Sequence, residues 1–156
     1  KDVKIVRTMP NTPALVGEGM TGATPNEFVT EAELKYVCEI LSGFSKVEVI
    51  SEKLMDTVDA VSGSSPAYVF MFIEAMADEA VEQGMPRAQA YKFAAQAVMG
   101  SAKMVLETGK HPGELKDMVC SPAGTTIKAV RVLEKEGLRS AVIEAMDACA
   151  DAAKGM

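Results

Sequence analysis

Several things are scarce in this chain, and each scarcity removes a class of protein. Its three cysteines, Cys38, Cys120 and Cys149, are odd in number and widely spaced. That argues against a disulfide framework or a cysteine zinc site and for a reducing compartment, with each thiol read as a small buried hydrophobe. His111 is the only histidine and sits beside Pro112 at a helix start, so any Ser-His-Asp arrangement would have to use it. A loop or capping role is the simpler reading. No basic run offsets the net charge of −6, so neither nucleic acid nor an anionic membrane is expected as a partner. No stretch approaches about eighteen apolar residues, and Lys1-Asp2-Val3-Lys4 lacks the apolar region of a signal peptide, so a cytoplasmic protein is expected. The acids Asp56, Asp59, Asp78, Glu79 and Glu82 fall at no metal-ligand spacing, and no metal is expected. Nothing resembles a strong acid, base or nucleophile, so a reaction run here would take its chemistry from a cofactor while the protein positions a substrate.

What remains is 156 residues, 48% of them hydrophobic, enough for one domain or one domain plus a remnant of another. The first residue is not Met, which suits a piece of a longer chain. Residues 1–51 read as mixed α and β, with strand-like runs at Val3, Ile5 and Val6, at Met20 to Thr24, and at Val47 to Ile50. A helix lies between the last two: Thr30 and Glu33 form a capping box, Val29 and Leu34 a staple, and Gly43 a stop. Three strands and one helix leave a sheet face and an edge uncovered, the mark of an incomplete α/β layer.

Residues 52–156 read as helices throughout. Ser65 and Pro66 open one that runs to Gly84, and its stretch from Ala67 to Ile73 is apolar on every side, which predicts burial all round. The next, from Pro86 to Gly109, carries a stripe of mostly small residues: Ala90, Phe93, Ala97, Gly100, Ser101 and Met104. A short helix spans Gly113 to Val119, one capped by Ser121 runs to Gly137, and the last lines Leu138, Val142, Ala145, Cys149 and Ala152 along one face. The expected fold is mainly α, a helical bundle completed by a second copy, preceded by a small α/β part.

Two motifs bear on ligands. Gly17-Glu18-Gly19-Met20-Thr21-Gly22 matches the G-x-G-x-x-G loop of dinucleotide binders, but Pro10, Pro13 and Pro25 surround it and no helix starts there, so it is read as something else. Cys120-Ser121-Pro122-Ala123-Gly124-Thr125-Thr126-Ile127 reads as a Ser N-cap followed by Pro, with Gly124 permitting close approach and two threonine hydroxyls beside bare amides. Such a start receives a small carboxylate, unless it is an ordinary helix cap.

Four segments then carry a resemblance. Val61-Ser62-Gly63-Ser64-Ser65-Pro66-Ala67-Tyr68, Met85-Pro86-Arg87, His111-Pro112-Gly113-Glu114-Leu115-Lys116-Asp117, and Ser121 to Thr126 followed by Val132-Leu133-Glu134 resemble the C-terminal half of Δ1-pyrroline-5-carboxylate reductases. Met9-Pro10-Asn11-Thr12-Pro13 resembles that family's nucleotide-domain segment. The resemblance implies a Rossmann remnant at 1–51 and a helical dimerisation and substrate domain at 52–156. It also implies reduction of pyrroline-5-carboxylate to L-proline with NADPH or NADH, the last step of proline synthesis, in a homodimer, with larger oligomers left open. Ser121, Gly124, Thr125 and Thr126 correspond to its substrate site, with Thr126 beside the ring nitrogen as the catalytic candidate, and Asn11 and Thr12 to the nicotinamide end. The glycine-rich pyrophosphate cradle has no counterpart in this sequence, so the chain alone is expected to be inactive. Ala123 stands where many members carry Gly. The alternatives are a non-catalytic helical dimerisation module and, more distantly, the helical domain of a β-hydroxyacid dehydrogenase, for which neither Lys92 nor Lys103 has the setting of a catalytic lysine.

Overall fold

The capping box forms as its spacing requires. The computed structural model describes residues 3–154, and in it α1 (Glu31–Leu41) starts behind Thr30, whose backbone N–H and hydroxyl both donate to the Glu33 carboxylate at 3.0 and 2.8 Å. Lys4 also donates to that carboxylate. The Lys4 ammonium first, then the Thr30 donors, hold the Glu33 carboxyl at about 2, against an ordinary 4.5.

The helix α1 is the crossover between two parallel strands. β1 (Val6–Met9) pairs antiparallel with β2 (Gly19–Pro25), and β2 runs parallel to β3 (Ser45–Val49), giving the order β1-β2-β3. A parallel pair needs such a connection, and α1 supplies it. β1 begins later than its apolar run, because Asn26 takes the backbone of Ile5 for itself: its Oδ1 accepts the Ile5 N–H and its N–H donates to the Ile5 carbonyl. Thr21 of β2 and Ser45 of β3 share a buried hydroxyl pair at 2.7 Å, and the Ser45 hydroxyl donates a hydrogen bond to the Leu41 carbonyl. Tyr36, Ile40, Phe44 and Val49 stay exposed, as an incomplete layer would leave them.

The glycine motif proves to be packing. Gly17 ends a 3-10 turn (Thr12–Val16), and Gly19 and Gly22 lie inside β2. A methyl on Gly19 would come within 2.8 Å of the Ser45 Cβ and 2.9 Å of the Phe44 carbonyl, so glycine is what lets β2 and β3 meet. No helix opens there.

From Met55 the chain is helical: α2 (Met55–Val58), a π-helical turn (Asp59–Gly63), α3 (Ser65–Glu82), α4 (Arg87–Thr108), α5 (Pro112–Val119), α6 (Thr125–Lys135) and α7 (Leu138–Lys154). His111 caps α5, its Nδ1 accepting the Gly113 N–H at 3.0 Å. The chain divides into two compact units, Lys1–Tyr68 with Glu144–Met156, and Val69–Ile143. In the second unit Ala77 of α3 meets Ala90 and Ala94 of α4 in a small core, with Ile73, Ala80, Val81 and Met85 packed against it.

In the single chain Ala77 of α3 packs on α4, while Phe70 and Met71, on the stretch expected to be covered by a second copy, are 62% and 69% exposed. Two expectations are corrected here. The small stripe of α4 divides, since Ala90 faces α3 while Phe93 is 67% exposed. The three cysteines are free but half-buried, and Cys149 hydrogen-bonds the Ser64 hydroxyl at 3.1 Å.

A carboxylate held below its unfolded pKa stabilises the fold above that pKa, and this contribution fades as pH falls through the folded value. Acid titration of the chain is therefore expected to lose stability between pH 4.5 and about 2 through Glu33. Glu33→Gln should flatten that part of a melting-temperature profile.

Candidate functional site

The segment after α5 is a tight turn rather than a serine cap. Cys120 closes α5 by donating its N–H to the Asp117 carbonyl, and the Gly124 N–H returns to the Ser121 carbonyl at 3.0 Å. Pro122 and Ala123 are the two central residues of this turn, and Ala123 has φ +58, the only non-glycine residue with positive φ among those described. Proline followed by a left-handed residue is a type II turn. The L-alanine there carries a cost of about 1 kcal/mol, which glycine would not.

The turn moves the helix start three residues on. The N-cap of α6 is Gly124, with φ −68 and ψ 174, and no side chain caps the helix. Ser121 instead lies over Gly124: a Cβ there would stand 2.4 Å from the Ser121 Oγ, so any side chain at 124 would displace the serine. The sequence expectation of Ser121 as N-cap is thus corrected, because the Gly124 N–H closes the turn onto Ser121 before the helix begins. The expectation of bare amides is strengthened by the same fact. The first N–H groups of α6, on Thr125, Thr126 and Ile127, have no partner in the helix ladder and receive none from a cap.

No acid stands in the first turn of α6 to compete for those amides, and the positive end of the helix dipole lies there as well. The hydroxyls of exposed Thr125 and half-buried Thr126 are beside them. Ser121, Gly124, Thr125 and Thr126 are therefore brought together in one stretch, with donors for a carboxylate and hydroxyls for a neighbouring polar atom.

Asn11 and Thr12 belong to the other unit. Asn11 precedes the 3-10 turn and Thr12 opens it, exposed. The Asn11 carboxamide is engaged on both sides, accepting the Met20 N–H at 2.9 Å and donating to the Ser62 carbonyl at 3.0 Å. Sequence reading missed this link, whose one visible signal is Pro66, a residue unable to donate from its backbone. Among the described residues no group of three or more His, Cys, Asp or Glu is placed to hold a metal ion, and no helix is long and apolar enough to cross a membrane.

A short mixed sheet leading into a run of helices defines a mainly α protein. The family described as Pyrroline-5-carboxylate reductase dimerisation matches residues 52–156. Pyrroline-5-carboxylate reductase of Escherichia coli (strain K12) is 70% identical over 148 residues, which are 95% of this chain and 55% of that protein. The enzyme of the same name from Synechocystis is 52% identical over 147 residues, covering 94% of this chain and 55% of its own. Among solved structures, a pyrroline-5-carboxylate reductase from Coxiella burnetii superposes with a TM-score of 0.94 at 38% identity, over 99% of this chain and 58% of that one. A Plasmodium falciparum pyrroline carboxylate reductase solved with NADP bound gives 0.90 at 38% identity, over 97% and 61%. The chain belongs to the pyrroline-5-carboxylate reductase family. It spans about half the length of the relatives it matches.

The left-handed Ala123 makes the turn testable by itself. Ala123→Gly relieves the strain but frees the unfolded chain, and the net effect expected is a Tm raised by about 2 °C. A fall in Tm by calorimetry would mean that the turn is not left-handed in solution.

Proposed function

We propose that this chain supplies the substrate-carboxylate site and the subunit interface of an NAD(P)H-dependent reductase that converts pyrroline-5-carboxylate to L-proline in the cytoplasm, as the last step of proline synthesis. The observation that carries this is the uncapped start of α6, where free amides and two threonine hydroxyls occur without a competing acid. In this reading residues 1–51 are the end of a dinucleotide-binding domain and 52–156 the helical dimerisation and substrate domain.

The amides of Thr125 and Thr126 bind the substrate carboxylate, and Gly124 lets it approach the backbone. The Thr126 hydroxyl faces the ring nitrogen, orients the imine and keeps its proton in place, so that C5 presents its electrophilic face. A nicotinamide cofactor would supply the hydride. The described residues do not fit the pyrophosphate of such a cofactor, since the glycine-rich motif runs into and along strand β2 and opens no helix, α1 starting only at Glu31 beyond Pro25. Thr12 and the backbone around Asn11 would lie towards the nicotinamide end. NADPH and NADH are not distinguished by any residue of this chain.

The site is tested by joining the remainder of the Escherichia coli relative to this chain and following cofactor oxidation with pyrroline-5-carboxylate. The chimera is expected to turn over and the chain alone not to. Thr126→Ala in the chimera should lower kcat/KM for the imine by about 10²-fold, and an unchanged value would assign Thr126 a purely structural part.

The helical unit supports a homodimer. Phe70, Met71 and Phe93 expose more than half of their surface, and burying each against a second copy is worth on the order of 1–2 kcal/mol. Sedimentation of the chain is expected to give a dimer or a larger multiple of it. Phe93→Glu should shift the distribution towards monomer, whereas a monomer at the outset would overturn the assembly.

A further inference from the structure

Asn11 spends both ends of its carboxamide within the fold, and one of its partners is a carbonyl that its own helix cannot serve. In a helical run the Ser62 carbonyl takes its hydrogen bond from the N–H four residues ahead, which is Pro66 and has none. Two neighbouring donors are committed elsewhere: the Ala67 N–H goes to the Ser64 carbonyl at 3.1 Å and the Ser64 N–H to the Asp59 carbonyl at 2.8 Å, in the π-helical turn. The Asn11 Nδ2 fills the vacancy from 51 residues away, at 3.0 Å, while its Oδ1 holds the Met20 N–H at the start of β2. Both contacts are partly buried, where an unpaired carbonyl is costly.

We propose that Asn11 is a positioning residue whose carboxamide stands in for the amide that Pro66 lacks. It pins the Thr12–Val16 turn, whose Leu15 is 89% exposed and Val16 78%, to the π-helical turn before α3. That turn makes no other side-chain hydrogen bond to the π-helical segment among the described residues, so its hydrogen-bonded link to that segment rests on this one residue. Resting on the reductase reading, this gives contact with a nicotinamide cofactor to Thr12 and the turn backbone, and leaves the Asn11 side chain out of contact with it.

The test is a double-mutant cycle on the full chain, with no cofactor or substrate present, so it decides the link whether or not the reductase reading survives. Asn11→Asp keeps the acceptor for Met20 and loses the donor for Ser62, and it is expected to lower Tm by about 3 °C. In a Pro66→Ala background residue 66 has an N–H of its own for the Ser62 carbonyl, and the same substitution should then cost less than about 1 °C. Equal losses in both backgrounds overturn the proposal, because a residue that only fills space would not sense whether position 66 can donate. If Pro66→Ala does not fold, hydrogen exchange in the unaltered chain decides instead. One Asn11 carboxamide proton should exchange at least about tenfold more slowly than the other, and two freely exchanging protons would overturn the link.

Discussion

A helix cannot satisfy its own first amides, and this chain treats its helix starts in opposite ways. At α1 the ends are closed: Thr30 and Glu33 exchange hydrogen bonds, and Lys4 adds a charge to the carboxylate. At α5 the His111 ring accepts the Gly113 N–H. At α6 the polar neighbours are diverted. The Ser121 carbonyl is committed to closing a turn, Gly124 has no side chain, and the amides of the first turn receive no side-chain cap. An unsatisfied donor set on a well-formed helix is a binding potential that the fold has held back.

The same accounting explains the middle of the chain. Proline at 66 begins α3 in a favourable place for its fixed φ, but it withholds a donor from the π-helical turn behind it. That deficit is met from the segment between β1 and the 3-10 turn, by a carboxamide that also organises the start of β2. Two segments far apart in sequence are therefore coupled by one residue's inability to donate. The link is not a by-product of packing, because the donor and the vacancy are matched in chemistry as well as in place.

How much of this could be read from the sequence depends on whether the signal was local. Thr30 with Glu33, His111 before Pro112 and the apolar periodicity of α7 are short-range patterns, and each formed as its spacing implied. The α6 socket was legible in its residue types but not in its geometry: Ser-Pro suggested a cap, whereas the Gly124 N–H folding back on Ser121 made a type II turn and moved the helix start to Thr125. The Pro-x-Gly run held the signal for that turn, masked by an alanine where glycine is the easy residue. The exposure of Phe70 and Met71 in a single chain agrees with the sequence pattern, since hydrophobicity on every side of α3 calls for cover that one copy does not supply. The Asn11 link lay beyond any local pattern, because its two ends are separated by most of the first unit.

The turn at Ala123 has one more implication, and it concerns handedness rather than bulk. With φ at +58, the backbone there follows the geometry natural to a mirror-image amino acid, while the residue that occupies it is of the ordinary hand. A chemically synthesised chain with D-alanine at 123 would keep the methyl group and shed the strain. It would also stiffen the turn in the unfolded chain, which glycine cannot do. The amides of α6 would then be presented by a loop whose shape is set by stereochemistry alone.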